Sequence, residues 1–255
     1  MPWDPKQYHK FQTERSAPFF DLLKLVNIRP SLQVVDLGCG TGELTKHLAE
    51  ALPESNVLGL DSSLEMLAKA KQHANSLLRF EHGNQAELTG TWDLIFSNAA
   101  LQWSENHEEL IPNLFYKLKK DGQIAVQVPS NHFHISHQLI RETAKEEPFQ
   151  TVLGGFNRQS PVLTIEGYTE VLFKCGAQDI VVFEKVYPHV LENSDAILEW
   201  IRGTALVPYL EKLGEQKEAF TETVRKKLKE AILGGPVLYP FKRTFLSAIN
   251  RSSIW

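Results

Sequence analysis

The chain has little cysteine, little net charge and no long apolar run. Cys39 and Cys175 are its two cysteines, far apart and outside any C-x-x-C or Cys/His cluster. That excludes a disulfide scaffold and a thiolate zinc site, and it favours a reducing compartment. No stretch approaches the length a membrane-spanning helix needs. Asp4, Lys6 and His9 stand where a secretory signal would carry its apolar core. A formal net charge of −4 gives no global basic field for nucleic acid. A cytoplasmic monomer or weak dimer is expected, with a small-molecule substrate and no membrane or nucleic-acid partner. Internal repeats and low-complexity segments are also missing. The 255 residues, 42% of them hydrophobic, suffice for one large α/β domain with a small cap.

What the chain does have is the segment from Gln33 to Gly42, an apolar run entering a loop with glycine at 38, 40 and 42. A helical pattern follows from Glu43 to Ala51. Closely spaced glycines let a backbone approach a ligand, and the N–H groups at the start of a helix have no partner within it. The order is G-x-G-x-G, so it is neither the dinucleotide fingerprint G-x-G-x-x-G nor a phosphate loop ending in G-K-[ST]. Asp36, just ahead of the first glycine, would repel a pyrophosphate and attract a cation. Asp61 closes the next apolar run, where a carboxylate can accept from both ribose hydroxyls. A ligand with positive charge and no phosphate, such as S-adenosylmethionine, fits this pair of acids.

Short apolar runs alternate with helix-period segments. The pattern predicts a Rossmann-like, seven-stranded, mostly parallel sheet with helices on both faces and a helical cap. The predicted strands are Gln33–Leu37, Asn56–Leu60, Leu77–Glu81, Trp92–Ser97, Gln123–Val128, Asp179–Val186 and one within Phe241–Asn250. Ser62 to Glu65 reads as a capping box ahead of a helix reaching Asn75. Leu110, Leu114 and Leu118 share a helical face, with Pro112 starting that helix late or bending it. The basic run Arg225–Glu230 reads as a solvated helical face. The βα rhythm breaks over Pro129–Leu163 and Leu191–Gly235, the latter reading as helices interrupted at Gly203 and Pro208. The expected domain therefore spans 1–255, its cap formed by 1–27, 129–163 and 188–235 over the sheet's carboxyl edge.

At Val34–Gly42 and Gly59–Ser63 the chain resembles the first and second motifs of the class I S-adenosylmethionine-dependent methyltransferases. The resemblance implies a cofactor site made by Asp36, Gly38, Gly40, Gly42, Asp61, Ser62, Met66, Asn84, Gln85, Ser97 and Asn98. Arg15 is a candidate for the cofactor's carboxylate. Base and amide methyltransferases of this class commonly carry an Asn/Asp-Pro-Pro-aromatic motif after the fourth strand. Here Asn98 is followed by Ala-Ala, which speaks against base methylation.

The resemblance narrows along most of the chain. Trp3–Tyr8, Glu14–Leu23, Leu101–Trp103, Val126–Asn131, Ser136-His137, Glu199–Leu206 and Pro208–Leu210 are similar to trans-aconitate methyltransferases. The family forms a monomethyl ester of a tricarboxylic acid. A carboxylate is already ionised at neutral pH and is its own nucleophile, so no catalytic base and no metal are expected. The histidines 132, 134 and 137 accordingly read as polar cap residues. Substrate carboxylates need cations, and arginine binds them bidentately, which makes Arg15, Arg202 and Arg243 candidates. Trp103, His132 and Tyr8 complete the expected substrate set. The chain departs from the family at Val207, where an arginine is usual, at His132, where an aromatic is usual, and over Glu147–Gln159. These departures leave room for a different or smaller acid. Malonyl-acyl-carrier-protein methylation, carbon methylation of a quinone-like substrate and a non-catalytic S-adenosylmethionine sensor are the alternatives.

Overall fold

The computed structural model describes residues 12–251. It divides into two compact units. The larger takes Thr13–Pro129, Pro161–Lys185 and the chain from Arg243, and the smaller takes Ser130–Ser160 and Val186–Lys242.

The larger unit is built on a seven-stranded sheet of order β3-β2-β1-β4-β5-β7-β6. Its strands are β1 Gln33–Leu37, β2 Asn56–Asp61, β3 Leu78–His82, β4 Trp92–Asn98, β5 Leu118–Pro129, β6 Gln178–Leu191 and β7 Val237–Asn250. The pairs among β1 to β5 are parallel, and β7 runs antiparallel to β5. Residues 34–37 of β1, 94–97 of β4 and 122–128 of β5 are continuously buried because helices cover both faces of these strands. On one face Val35, Leu37, Ile95, Ile124 and Val126 pack with Leu110, Ile111, Leu114 and Phe115 of the helix His107–Phe115, and with Tyr168 and Leu172 of Ile165–Lys174. On the other face Phe19, from the helix Gln12–Leu23, meets the Phe96 ring edge-on at 5.5 Å.

The smaller unit has its own core. Leu139, Ile140, Ile197, Trp200, Ile201, Val224 and Leu228 come from three helices, Ile135–Thr143, Ser194–Arg202 and Lys217–Ala231. Phe220 stacks on Tyr209 at 5.8 Å and meets Phe149 edge-on. The basic run lies on the helix Lys217–Ala231. Arg225 and Lys229 pair with Asp195, and Lys227 pairs with Glu146.

Several local expectations need correction. The helix cap is Ser63, not Ser62, with Oγ accepting from the Met66 N–H, and the helix ends at Ala70 before a short 3-10 turn to His73. Leu118 lies on β5, beyond the helix that holds Leu110 and Leu114. That helix begins at His107 and runs through Pro112. Pro208 sits in the first turn of Val207–Leu210, where a missing N–H costs no helical bond.

The buried His107 ring ties two elements together. Its Nδ1 lies 2.5 Å from the Tyr168 hydroxyl and its Nε2 lies 2.9 Å from the Leu101 carbonyl. Burial lowers the pKa of His107, so the neutral ring makes both bonds. Tyr168→Phe leaves one ring nitrogen without a partner in the core. It is expected to cost about 1–3 kcal/mol, read as a lower melting temperature; an unchanged melting temperature would assign the bond no weight.

Candidate functional site

The loop between β1 and the helix Glu43–Ala51 carries glycines at φ 74°, 55° and 77° (Gly38, Gly40 and Gly42). Their roles differ. A Cβ on Gly38 would fall 2.1 Å from the Ala100 Cβ, so this position must be bare for the loop after β4 to pack over it. A Cβ on Gly42 would meet Phe80 and Ala70 at 2.8–2.9 Å. Only on Gly40 would it point into open space.

The loop's N–H groups are mostly committed inside the protein. Gly38 and Cys39 both donate to the Leu60 carbonyl, Gly42 donates to the Cys39 carbonyl, and Gly40 donates to Asp61 Oδ2 at 2.8 Å. The loop is therefore no anion nest of the kind that cradles phosphates. Asp61 Oδ1 accepts from the Ser63 N–H, also at 2.8 Å. Each oxygen thus takes one internal bond and keeps lone-pair capacity for another. Ser62 lies between these two anchors.

Asp36 sits at the end of β1, 4% exposed, with Thr45 Oγ1 donating to its Oδ2 at 2.6 Å. Burial pushes this carboxyl up to about 7, the Thr45 bond opposes the rise, and the nearby Asp61 charge adds to it. Cys39 is buried, and the same cause pushes its thiol up, which disfavours the reactive thiolate.

The remaining candidates are placed as follows. Met66 is in the first turn after β2. Asn84 Oδ1 caps its own turn by accepting from the Ala86 N–H. Gln85 Nε2 donates to Ser104 Oγ at 2.6 Å and to the Ala100 carbonyl at 3.3 Å, which fastens the loop after β4. The fully buried Ser97 hydroxyl donates to the Leu37 carbonyl, bracing β4 against β1. Asn98 ends β4, and its buried Oδ1 has no hydrogen-bond partner among the described residues. Ala99 follows at φ 55°, a conformation that non-glycine residues adopt at a cost and that concentrates at functional sites. Trp103, 40% exposed, lies in the turn whose Leu101 carbonyl His107 holds.

Arg243, on β7, is 6% exposed, with Nη1 donating to Gln127 Oε1 at 3.2 Å. Neither Gln127 nor Ala99 stands out by residue type: Gln127 lies in the family-like stretch Val126–Asn131 and Ala99 in the Ala-Ala after Asn98, and neither position announces a site role. Arg202 ends its helix exposed, in the smaller unit. His132 is half-buried in the same unit, its ring 4.2 Å from Phe133. Burial pushes His137 down to about 3, with His134, Arg141 and His132 adding to it. Tyr8 and the Arg15 side chain lie outside the described residues.

An open, mostly parallel sheet with acids at the ends of β1 and β2 is the build of a class I methyltransferase. Residues 28–201 match the family model described as a methyltransferase domain. A trans-aconitate 2-methyltransferase of Deinococcus radiodurans is 49% identical, over 97% of this chain and 98% of that protein. The same-named enzyme of Variovorax paradoxus is 35% identical, over 99% and 100%. The chain belongs to the trans-aconitate methyltransferase family. Among solved structures, the YcgJ protein from Bacillus subtilis superposes with a TM-score of 0.62 at 14% identity, covering 93% of this chain and 99% of its own. Phosphoethanolamine N-methyltransferase 2 of Haemonchus contortus, in complex with S-adenosyl-L-methionine, gives 0.55 at 19% identity, covering 92% and 52%. These two likenesses are of fold.

The Asp36 shift has a sign. Between the ordinary carboxylate range and pH 7 the folded state keeps a proton that the unfolded chain has lost. Stability from this group is thus full below about pH 4 and is lost as pH rises through about 7. Asp36→Asn keeps an acceptor for Thr45. The ligand-free variant is expected to melt several degrees above the parent at about pH 8 and level with it at about pH 4. A variant that melts lower at the higher pH would show that the ionised acid is stabilised in the fold.

Proposed function

We propose that this protein transfers a methyl group from S-adenosylmethionine to one carboxylate of a small polycarboxylic acid, with trans-aconitate as the leading substrate. The observation that carries the reading is the donor set around Gly40. Two carboxylates, a loop whose N–H groups are largely spent, and an Asn98 oxygen without a partner among the described residues suit a cationic, phosphate-free ligand. Names and near-full-length coverage among the relatives supply the substrate class.

In this reading Asp61 accepts from the ribose hydroxyls with its remaining lone pairs, and Gly40 lets the backbone pass close. Asn98 Oδ1 accepts from the ammonium of the methionine part. Asp36 contributes negative potential from beneath the loop. The donor's sulfonium carries a methyl already activated for displacement. The acid's carboxylate oxygen forms the new C–O bond as the C–S bond breaks, its electron pair staying on sulfur, so no proton has to be moved by the protein. The residues' task is alignment and exclusion of water, which can supply roughly 7–11 kcal/mol. Arg243 gives a buried positive charge for an acid carboxylate, with Trp103 as a wall. Arg15, Tyr8, His132 and Arg202 remain proposed substrate contacts. We take the protein to act as a cytoplasmic monomer or weak dimer with no nucleic-acid partner, as its charge and composition suggest. Among the described residues, no helix is long and apolar enough to cross a membrane.

The test is transfer of labelled methyl from S-adenosylmethionine to a panel of acids. Trans-aconitate is expected to accept label that alkali releases as volatile methanol, the mark of an ester. Cofactor binding without transfer to any acid would instead favour a sensor.

A further inference from the structure

Gln127 is fully buried two residues before the end of β5. It pairs in register with Phe245, as Pro129 does with Arg243, so Gln127 and Arg243 project from the same face of the sheet. A guanidinium offers only donors. The bond from Arg243 Nη1 to Gln127 Oε1 therefore decides which end of the carboxamide faces the arginine. The NH2 group must face away from it, and that Nε2 has no hydrogen-bond partner among the described residues. The register neighbour across β4–β5 is Asn98, whose Oδ1 is likewise buried and unpartnered.

Leaving a buried amide group unsatisfied forfeits its hydration without return. Two such groups on adjacent strands, at the carboxyl edge where open α/β sheets bind ligands, mark a place completed from outside. Their needs are opposite: Asn98 wants a donor, and Gln127 wants an acceptor. The proposed reaction brings both, an ammonium on the methyl donor and carboxylates on the acid.

We infer that Gln127 is a substrate-positioning and specificity residue, donating from Nε2 to a carboxylate of the acid other than the one methylated. Arg243 places positive charge beside that bond and holds the amide in the donating orientation. The inference rests on the acid-methylating reading above. A buried N–H that must be matched discriminates strongly against an analogue lacking the matching group.

The experiment compares trans-aconitate with glutaconate, which lacks one carboxylate, using the full chain and saturating S-adenosylmethionine. Gln127→Met keeps the volume and removes the donor. It is expected to raise the KM for trans-aconitate about tenfold and to narrow the preference over glutaconate, while the Kd for S-adenosylhomocysteine stays unchanged. Gln127→Glu should raise the KM further, because its carboxylate pairs with Arg243 and repels the acid, while the melting temperature holds or rises. A merely structural Gln127 predicts the reverse, with Gln127→Glu keeping the KM through a stronger bond to Arg243. Unchanged KM and preference in either folded variant would overturn the inference while leaving the acid-methylating reading intact. A parent protein that methylates neither acid would sink that reading, and the inference with it.

Discussion

The hydrogen bond from the Gly40 N–H to the Asp61 carboxylate is the contact on which the site's geometry depends. It joins the end of β2 to the loop after β1, and the Ser63 N–H holds the same carboxylate from the other side. Asp61 is thereby oriented before any ligand arrives, and the loop is held with Gly40 facing open space. Leu60 secures the preceding turn by accepting from two successive N–H groups. Beneath it, Asp36 is kept out of water, with the Thr45 hydroxyl donating to it and the Asp61 charge nearby, and burial raises its carboxyl to about 7.

That arrangement separates this site from those that bind phosphates. A phosphate site keeps its N–H groups available at the loop and helix start. Here they are largely consumed by two carbonyls and a carboxylate, and the charge around the loop is negative. The same glycine-rich outline therefore serves opposite electrostatics, and the acids decide which ligand it takes. On the proposed acceptor side the logic inverts. There Arg243 would supply buried positive charge, and Gln127 Nε2, an amide donor with no partner among the described residues, stands in register with Asn98. Donor and acceptor chemistry are thus paired across neighbouring strands of one sheet.

Much of this was legible in the amino-acid order. Strand β1 and the helix after it are bounded by apolar periodicity and glycine, and both occur at the expected residues. The two acids could be read because each ends an apolar run. Strands β6 and β7 run longer than expected, since they carry Pro188 and Pro240 and are partly exposed, which blunts the apolar pattern. The breaks in the βα rhythm at 129–163 and 191–235 lie near the stretches of the smaller unit, while its exact limits were hidden by connectivity, because β6 and β7 each pass from one unit to the other. The separate duties of Gly38, Gly40 and Gly42 depend on neighbours far along the chain, Ala100 and Phe80 among them. Gln127 falls inside the family-like stretch Val126–Asn131, but its proposed role was not legible there, because that role lies in which of its two ends Arg243 occupies.

The central claim is electrostatic: a buried acid near neutrality senses the positive charge of the methyl donor. It is tested most directly by titration calorimetry at about pH 7 in buffers of different ionisation enthalpy, which counts protons exchanged on binding. S-adenosylmethionine should bind with release of up to about half a proton, as Asp36 ionises beside the cation. The Asp36→Asn variant should release none by this route. Proton uptake, or identical release from parent and variant, would contradict the account.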